Sequence, residues 1–243
     1  MKNLKAPLLV LFFAAFVFSC LPGCKKDNNT ASPHTGKIKS MGYLNTGTNG
    51  TTMSNITYDS QDRIVGTVNI PDGYDSFVYQ GNRILLLYYE DVNNLSAPLT
   101  IDTFTLNAQG YLSNGSIANG ITRTFDANGY VLTETKNSNT ASPITTTHVY
   151  SNGNEQSASY TDGGGQLHTY TYQYNTHAET HGHNAAGSPY WGKDNANLIS
   201  RVIQNDGGTD LITDYTYEYD TQGRVTKETQ VGYLNQTTTY TYY

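Results

Sequence analysis

Three histidines stand close together in one stretch of the chain, and their side chains could bind a transition metal. His177, His181 and His183 are spaced as His-x-x-x-His-x-His, with Glu179 between the first two. Imidazole nitrogens and a carboxylate in such an arrangement can bind Zn²⁺ or Cu²⁺. Glycines and a proline break the stretch, and no His-Glu-x-x-His motif is present. The sequence therefore leaves two interpretations open, a metal site of three histidines and a polar loop insertion.

Residues 177–197 also interrupt the rhythm of strands and turns that fills the rest of the chain. Segments that depart from a regular scaffold often carry function. This one contains Trp191, the only tryptophan of the chain, directly after Tyr190. Exposed rings of these two types stack on sugars and anchor protein interfaces. We therefore predict that Tyr190 and Trp191 contact a carbohydrate or protein ligand, with packing of Trp191 in the core as the alternative.

Carboxylates are scattered along the chain, and no two of them stand out as a catalytic pair. A glycosidase needs two carboxylates that face one bond at a defined separation. The chain has no Gly-x-Ser-x-Gly turn around a nucleophile and no glycine loop for phosphate. These features favour a non-enzymatic binding or structural module without a cofactor. An envelope glycan hydrolase is kept as an alternative.

A repeated turn must position these residues, because it recurs along most of the chain. Copies begin at Tyr58, Tyr79, Leu106, Phe125, Tyr150 and Tyr219. The clearest copy, residues 219–225, reads Tyr-Asp-Thr-Gln-Gly-Arg-Val, and Asp62 replaces the glycine in the first copy. An Asp or Asn side chain at the second position can accept bonds from backbone N–H groups two residues on. The pattern predicts β-hairpins with a type I turn and a G1 bulge.

The segments between these turns alternate as β-strands do. Residues 170–174 and 215–219 each place three tyrosines on one face, with polar residues between them. Tyrosine and threonine favour the half-buried surface of a strand. We predict an all-β fold, one antiparallel meander of consecutive hairpins. Roughly a dozen strands of ordinary length would form a strongly curved sheet, rolled into a barrel-like shape.

The first 23 residues have the features of a lipoprotein signal peptide. Two lysines precede an apolar run from Leu8 to Phe18, which is shorter than a bilayer span. Leu-Pro-Gly-Cys at residues 21–24 reads as a lipobox, so Cys24 is the predicted lipidated residue. Cys20 is a second candidate, and an ordinary cleaved signal without lipid is a further alternative.

Three segments follow from these features: a signal peptide at 1–23, a flexible tether at 24–37 and one repeat-built β domain at 38–243. The tether is polar and lacks periodicity. A lipid at its start predicts an outer-membrane lipoprotein that faces the periplasm or the cell surface. The alternative is an integral outer-membrane β-barrel, although the strands lack a continuous outward apolar band.

The charge of the chain limits its partners. The formal net charge of −6 becomes −8 without residues 1–23, because that segment contains two lysines and no acidic residue. Nucleic-acid binding needs a basic surface. We therefore expect no nucleic-acid partner, attachment to a membrane through the N-terminal lipid, and a glycan or protein ligand.

The repeat resembles that of the Rhs/YD-repeat proteins, which centres on Tyr-Asp-x-x-Gly-Arg. Residues 219–224 match it fully, and residues 58–63 match it in part. The spacing is also similar to a family of secreted lipoproteins described as having a porin-like fold. The Gly-Lys-…-Asn-Leu-Ile residues within 192–199 resemble a segment of that family. Its members have no established activity, so the resemblance implies fold and location only.

Overall fold

The strands close into a single barrel. A computed structural model of the chain describes residues 34–45, 50–70, 73–116, 120–182, 185–233 and 235–243. Within these ranges the strands are β1 (Ile38–Asn45), β2 (Gly50–Tyr58), β3 (Ile64–Ile70), β4 (Gly73–Gln80), β5 (Arg83–Tyr89), β6 (Thr100–Leu106), β7 (Leu112–Gly115), β8 (Ile121–Phe125), β9 (Val131–Lys136), β10 (Ile144–Ser151), β11 (Asn154–Thr161), β12 (Leu167–Ala178), β13 (Asn197–Asn205), β14 (Leu211–Tyr219), β15 (Val225–Gly232) and β16 (Gln236–Tyr242). Each strand pairs antiparallel with its neighbours in the chain, and β1 closes the ring by pairing with β16.

The predicted all-β antiparallel meander, rolled into a barrel, is therefore confirmed. The described residues form sixteen strands instead of roughly a dozen. The number is higher because short polar segments such as β7 and the threonine-rich β10 also pair as strands. No helix in the described part of the chain is long and apolar enough to cross a membrane.

The predicted N-terminal segments fall largely outside the described residues. Residues 1–23, Cys20, Cys24 and the tether up to residue 33 lie there. The last part of the predicted tether, residues 34–37, forms a turn against the barrel. His34 Nδ1 lies 2.7 Å from Asp62 Oδ1, and the His34 ring packs against Tyr58 and Tyr243. Packed structure thus begins before the first strand.

The repeated turns fold as the sequence predicts. In the clearest copy, Asp220 Oδ1 accepts hydrogen bonds from the backbone N–H groups of Gln222 and Arg224 at 2.9 and 3.0 Å. Gly223 has a φ of +77°, and the register shifts beside the turn, which is the predicted bulge. Equivalent side-chain bonds form in the copies that contain Asp59, Asn107 and Asp126.

Three other turns differ from the prediction. The copies that begin at Tyr79 and Tyr150 are two-residue loops, because Gln80 pairs with Arg83 and Ser151 pairs with Asn154. Residues 162–166, which are not among the six predicted copies, form a turn of the repeated type. There the Asp162 carboxylate accepts bonds from two backbone N–H groups, as Asp220 does.

All six predicted copies of the repeat lie at one end of the barrel, because successive hairpins of a meander point to alternate ends. We call it the turn end, and it carries the connections at residues 59–63, 81–82, 107–111, 126–130, 152–153 and 220–224. The opposite end, the loop end, carries longer connections such as residues 90–99 and 137–143. The turn of the repeated type at 162–166 belongs to the loop end.

The hydrophobic core lies inside the turn end. Its buried side chains come from strands between β1 and β7, near the ends of the strands at the turn end, and from Tyr190 in the connection between β12 and β13. The strand residues are Ile38, Ile56, Ile64, Ile84, Phe104 and Leu112. The tyrosines of β12 and β14 also face inward. Tyr172 on β12 pairs with Val202 on β13, which pairs with the buried Thr213 on β14, and residues paired across strands lie on the same face. Burial raises the pKa of Tyr172 and of Tyr217.

Candidate functional site

The connection between β12 and β13 crosses the turn end as a plug. The plug comprises residues 179–182 and 185–196, with one 3₁₀ turn at Pro189–Trp191. Its backbone is hydrogen bonded to the rim at four places, pairing Ala185 with Ile38, Gly187 with Ile64, Lys193 with Gly129 and Ala196 with Gly153, at 2.8–3.0 Å. In the sixteen-strand ring, β1 and β3 lie opposite the β8–β9 and β10–β11 turns. The plug therefore spans the rim from one side to the other.

The plug carries both predicted ligand-binding aromatics into the barrel. Tyr190 is 4% exposed and belongs to the core. Trp191 is partly buried, and its ring meets that of Phe104 edge-on at 5.7 Å between centroids. The guanidinium of Arg123 covers the Trp191 ring at 4.4 Å. Both rings thus pack inside the barrel, which for Trp191 was the alternative to an exposed ring. Ligand contact by either ring remains a prediction.

The predicted metal-binding histidines have separate surroundings. The His177 ring stacks on Tyr219 at 4.7 Å between centroids, whereas His181 lies between two carboxylates. His183 lies outside the described residues. In the described part of the chain, no three His, Cys, Asp or Glu side chains are placed to hold a metal ion. A metal site that includes His183 therefore remains a prediction.

His181 links the plug to the barrel wall by charge. Its Nδ1 lies 2.6 Å from Glu179 Oε1 in the plug, and its Nε2 lies 2.9 Å from Glu228 Oε2 on β15. The Nδ1 contact is poorly aligned for a hydrogen bond, so it acts mainly through charge. Burial alone would lower the pKa of His181, but the carboxylates of Glu179 and Glu228 outweigh it and raise the pKa to about 9. The imidazolium therefore persists at neutral pH.

The same contact fixes the charge of the plug carboxylate. Burial alone would raise the pKa of Glu179, but the hydrogen bonds and positive charge of His181 outweigh burial and lower that pKa. One cation thus holds two carboxylates in a site that is almost closed to water. Such a group of charges is stable only while all its members stay in place.

A cavity of about 230 Å³ lies between the plug and strands β8 to β11. The strands contribute four ionisable side chains to it, arranged as two pairs. Arg123 Nε donates to Glu134 Oε2 at 2.7 Å, between directly opposed positions of β8 and β9. His148 Nδ1 lies 2.6 Å from Glu155 Oε1, between β10 and β11. The ring of Trp191 completes this part of the lining from the plug.

The cavity combines shielded charges with one unsatisfied polar atom. The four paired side chains are 13–18% exposed. Burial alone would raise the pKa of Glu134, but Arg123 outweighs it and lowers the pKa, so this carboxylate is ionised. His148 Nε2 is buried and has no hydrogen-bond partner among the described residues. Buried polar atoms are normally paired, so this nitrogen is an unsatisfied group in the wall of the cavity.

Sequence reasoning did not identify these four residues as site residues. Their signal is weak: Arg123, Glu134 and His148 stand among the threonines of three strands, and Glu155 stands among small polar residues of the next strand. Arg123 and Glu134 become partners only through the register of β8 and β9. That register is set by the turn and its bulge.

A second cavity, of about 590 Å³, lies on the rim side of the plug. Its lining includes Glu179, Asp194 and Arg224. Residues 193–195 line both cavities and therefore separate them. The plug thus carries polar residues on its two faces.

Comparison with known proteins gives matches for the fold alone. No protein-family model matches the chain, and no curated protein matches it. A porin-like protein from Bacteroides uniformis is similar in structure, with a TM-score of 0.60 and 16% identity over 86% of this chain and 99% of that one. A porin-like protein from Bacteroides vulgatus has a TM-score of 0.57 and 10% identity over 85% and 98%. These likenesses confirm the porin-like fold that the sequence resemblance implied.

Proposed function

We propose that the protein is a lipid-anchored envelope protein whose plugged barrel is a non-enzymatic binding module, with carbohydrate as the favoured ligand and protein as the second. The plug is the observation that carries this proposal. A barrel of sixteen strands is wide enough to leave an aqueous channel. Here a segment bonded across the rim crosses one end and borders a polar cavity. This arrangement supports retention of a ligand over free passage.

The first described residues give the distance over which the proposed lipid could hold the barrel. Residues 34–37 pack at the turn end, where His34 contacts Asp62. A lipid on Cys24 would be joined to the turn end by residues 24–33, a reach of roughly 35 Å at most. The proposed protein is held within that distance of an outer-membrane leaflet and faces the periplasm or the cell surface.

Charged and hydroxyl side chains on the outer face of the barrel support the proposal that water surrounds it. Arg201 pairs with Asp214 at 2.6 Å on the outward face near the middle of β13 and β14. Lys227 pairs with Glu218 at 2.7 Å on the same face, nearer the turn end. Outward threonine hydroxyls are bonded across strands as well. A lysine or arginine on the lipid face of a bilayer barrel costs about 2–4 kcal/mol at mid-depth. The integral-barrel alternative is therefore less well supported.

The charges of two cavity carboxylates weaken the hydrolase alternative. A glycosidase needs one carboxyl group that stays protonated until it protonates the leaving oxygen. Arg123 lowers the pKa of Glu134, and His181 lowers that of Glu179. These two carboxylates are better suited to accept hydrogen bonds from hydroxyl groups than to donate a proton.

Two measurements test the anchor and the surroundings of the barrel. We expect the mass of the mature protein to match cleavage before Cys24 plus attached lipid, and a Cys24→Ala variant to lose that lipid. Cleavage at this point without added mass would contradict the anchor. We expect residues 25–243 to fold without detergent, whereas an absolute need for detergent would favour the integral barrel.

A glycan array and a broad glycosidase screen on that detergent-free domain test the module itself. Binding without turnover is the expected result. Turnover of any bound glycan would favour the hydrolase. Absence of glycan binding, together with capture of an envelope protein, would favour the protein-ligand form of the proposal.

A further inference from the structure

The cavity between the plug and strands β8 to β11 has the chemistry of a binding site for a neutral, hydroxyl-rich ring. We propose that this cavity is a subsite for a single sugar ring, in which His148, Glu155, Arg123 and Glu134 bond the hydroxyl groups and Trp191 contacts the ring. The inference rests on the proposed function, since it names the place and the ligand class within a carbohydrate-binding module.

The charges of the cavity favour a neutral ligand. On the strands, Arg123 is paired with Glu134 and His148 with Glu155 within hydrogen-bond distance. From the plug, Glu179 is paired with His181, and Lys193 and Asp194 add one formal charge of each sign. A free ion would have to displace one of these partners. A hydroxyl group can instead donate to a carboxylate oxygen and accept from the guanidinium or imidazole without breaking either pair.

His148 lines the cavity, and its ring carries a buried nitrogen that lacks a partner among the described residues. Glu155 holds Nδ1, and the chain at Glu155 is itself fixed, since its backbone N–H donates to Asn195 Oδ1 at 2.8 Å and its carbonyl accepts from Tyr174 at 2.6 Å. The imidazole is therefore held in place while its Nε2 has no partner among the described residues. A site that presents fixed groups before binding loses little conformational entropy when the ligand arrives.

The size and the aromatic wall favour one ring. A volume of about 230 Å³ corresponds to roughly eight waters at about 30 Å³ each, which is the space of one sugar ring rather than of an extended chain. The Trp191 ring is fixed by the guanidinium of Arg123 at 4.4 Å and by Phe104. A fixed indole in the lining offers an apolar surface to the C–H groups of a sugar.

The single tryptophan allows a direct test on the purified protein. Neutral hexoses, N-acetylhexosamines and hexuronates are titrated one by one while the emission of Trp191 is recorded, with glycerol as the non-ring control. We expect a saturable change with at least one neutral sugar, at a dissociation constant of about 1 mM as befits a small ligand. We expect no saturable change with glycerol.

Two variants connect the response to the cavity. His148→Leu removes the free nitrogen, and Glu155→Gln keeps the shape while removing the charge that fixes the imidazole. Each should weaken sugar binding tenfold or more. His168→Leu is the matched control, because His168 is also held by carboxylates, those of Asp162 and Asp206, but at the loop end. Thermal unfolding of each variant identifies any that fail to fold.

The outcomes separate this inference from the proposed function. A glycan-array signal without any saturable change at Trp191, or with equal affinity in both cavity variants, would place sugar binding elsewhere and overturn the subsite. A silent array together with silent fluorescence would remove both the subsite and the carbohydrate form of the proposed function. Selective loss in His148→Leu and Glu155→Gln, with His168→Leu unchanged, supports the subsite.

Discussion

Removal of the His181 imidazole should be among the most destabilising single changes to the plug. His181 is 10% exposed, and the carboxylates it contacts, Glu179 and Glu228, are 17% and 11% exposed. His181→Leu leaves both carboxylates buried without their cation. Loss of one partner of a buried ion pair costs about 3–5 kcal/mol, because the remaining charge stays uncompensated. We expect the free energy of unfolding to fall by that amount.

An exposed ion pair of the same barrel provides the matched comparison. Arg201 and Asp214 are 41% and 49% exposed and lie 2.6 Å apart. Water screens the charges of an exposed pair, so Arg201→Leu should change stability far less than His181→Leu. Urea unfolding at neutral pH measures both variants, with circular dichroism for the barrel and Trp191 emission for the plug. In His181→Leu the emission change should come at lower urea than the loss of strand signal, because the link between plug and wall is the part removed.

A triple variant isolates the charge from the packing. Adding Glu179→Gln and Glu228→Gln to His181→Leu removes the two buried carboxylate charges that have lost their cation. Most of the lost stability should therefore return. The reasoning would be refuted if His181→Leu cost no more than Arg201→Leu. It would also be refuted if the triple variant were as unstable as the single one, since the loss would then come from packing.

Three further changes test other parts of the structure. The stability that His181 contributes should be fully present below pH 6.5 and be lost as the pH rises through about 9. The pKa of Glu179 is lowered, so the stability it contributes should be present above pH 4.5 and be lost as the pH falls below that value. Urea midpoints measured across pH in wild type and His181→Leu check both expectations. Gly223→Ala should cost about 1 kcal/mol because φ is +77°, whereas Gly223→Asn should be nearly neutral, as Asp62 adopts a φ of +58° at the equivalent position; thermal unfolding of the two variants decides. Tyr190→Ala should cost about 3–5 kcal/mol by emptying the core, and a loss below 1 kcal/mol in urea unfolding would contradict its placement there.

The fold could be predicted because its information is local. Each repeat turn is specified within about seven residues, by an Asp or Asn that bonds the backbone and a residue that tolerates positive φ. Asp62 could be recognised as a substitute for glycine on this basis, and its φ of +58° confirms it. The number of strands was harder to predict, because polar strands such as β10 have no apolar alternation to mark them.

The candidate site could be predicted only in part, because its information is not local. The break in the repeat correctly marked residues 177–197 as the unusual segment. Whether Trp191 is exposed or buried depends on Arg123, which is 68 positions away in the chain. The pairing of His148 with Glu155 depends on the two-residue turn between β10 and β11. Neither contact has a signature within a short stretch of sequence.

The plug connects the stability of the barrel to its proposed function. Sixteen strands enclose more space than their own side chains fill, and Tyr190 enters the core from the plug. The plug is held by the rim and by His181, and the same segment supplies Trp191 to the cavity. A change in the plug should therefore alter stability and ligand affinity together, whereas a change of His148, which lies on the wall, should alter affinity with a smaller effect on stability. The ratio of the change in affinity to the change in stability distinguishes residues that bind the ligand from residues that hold the plug and the barrel together.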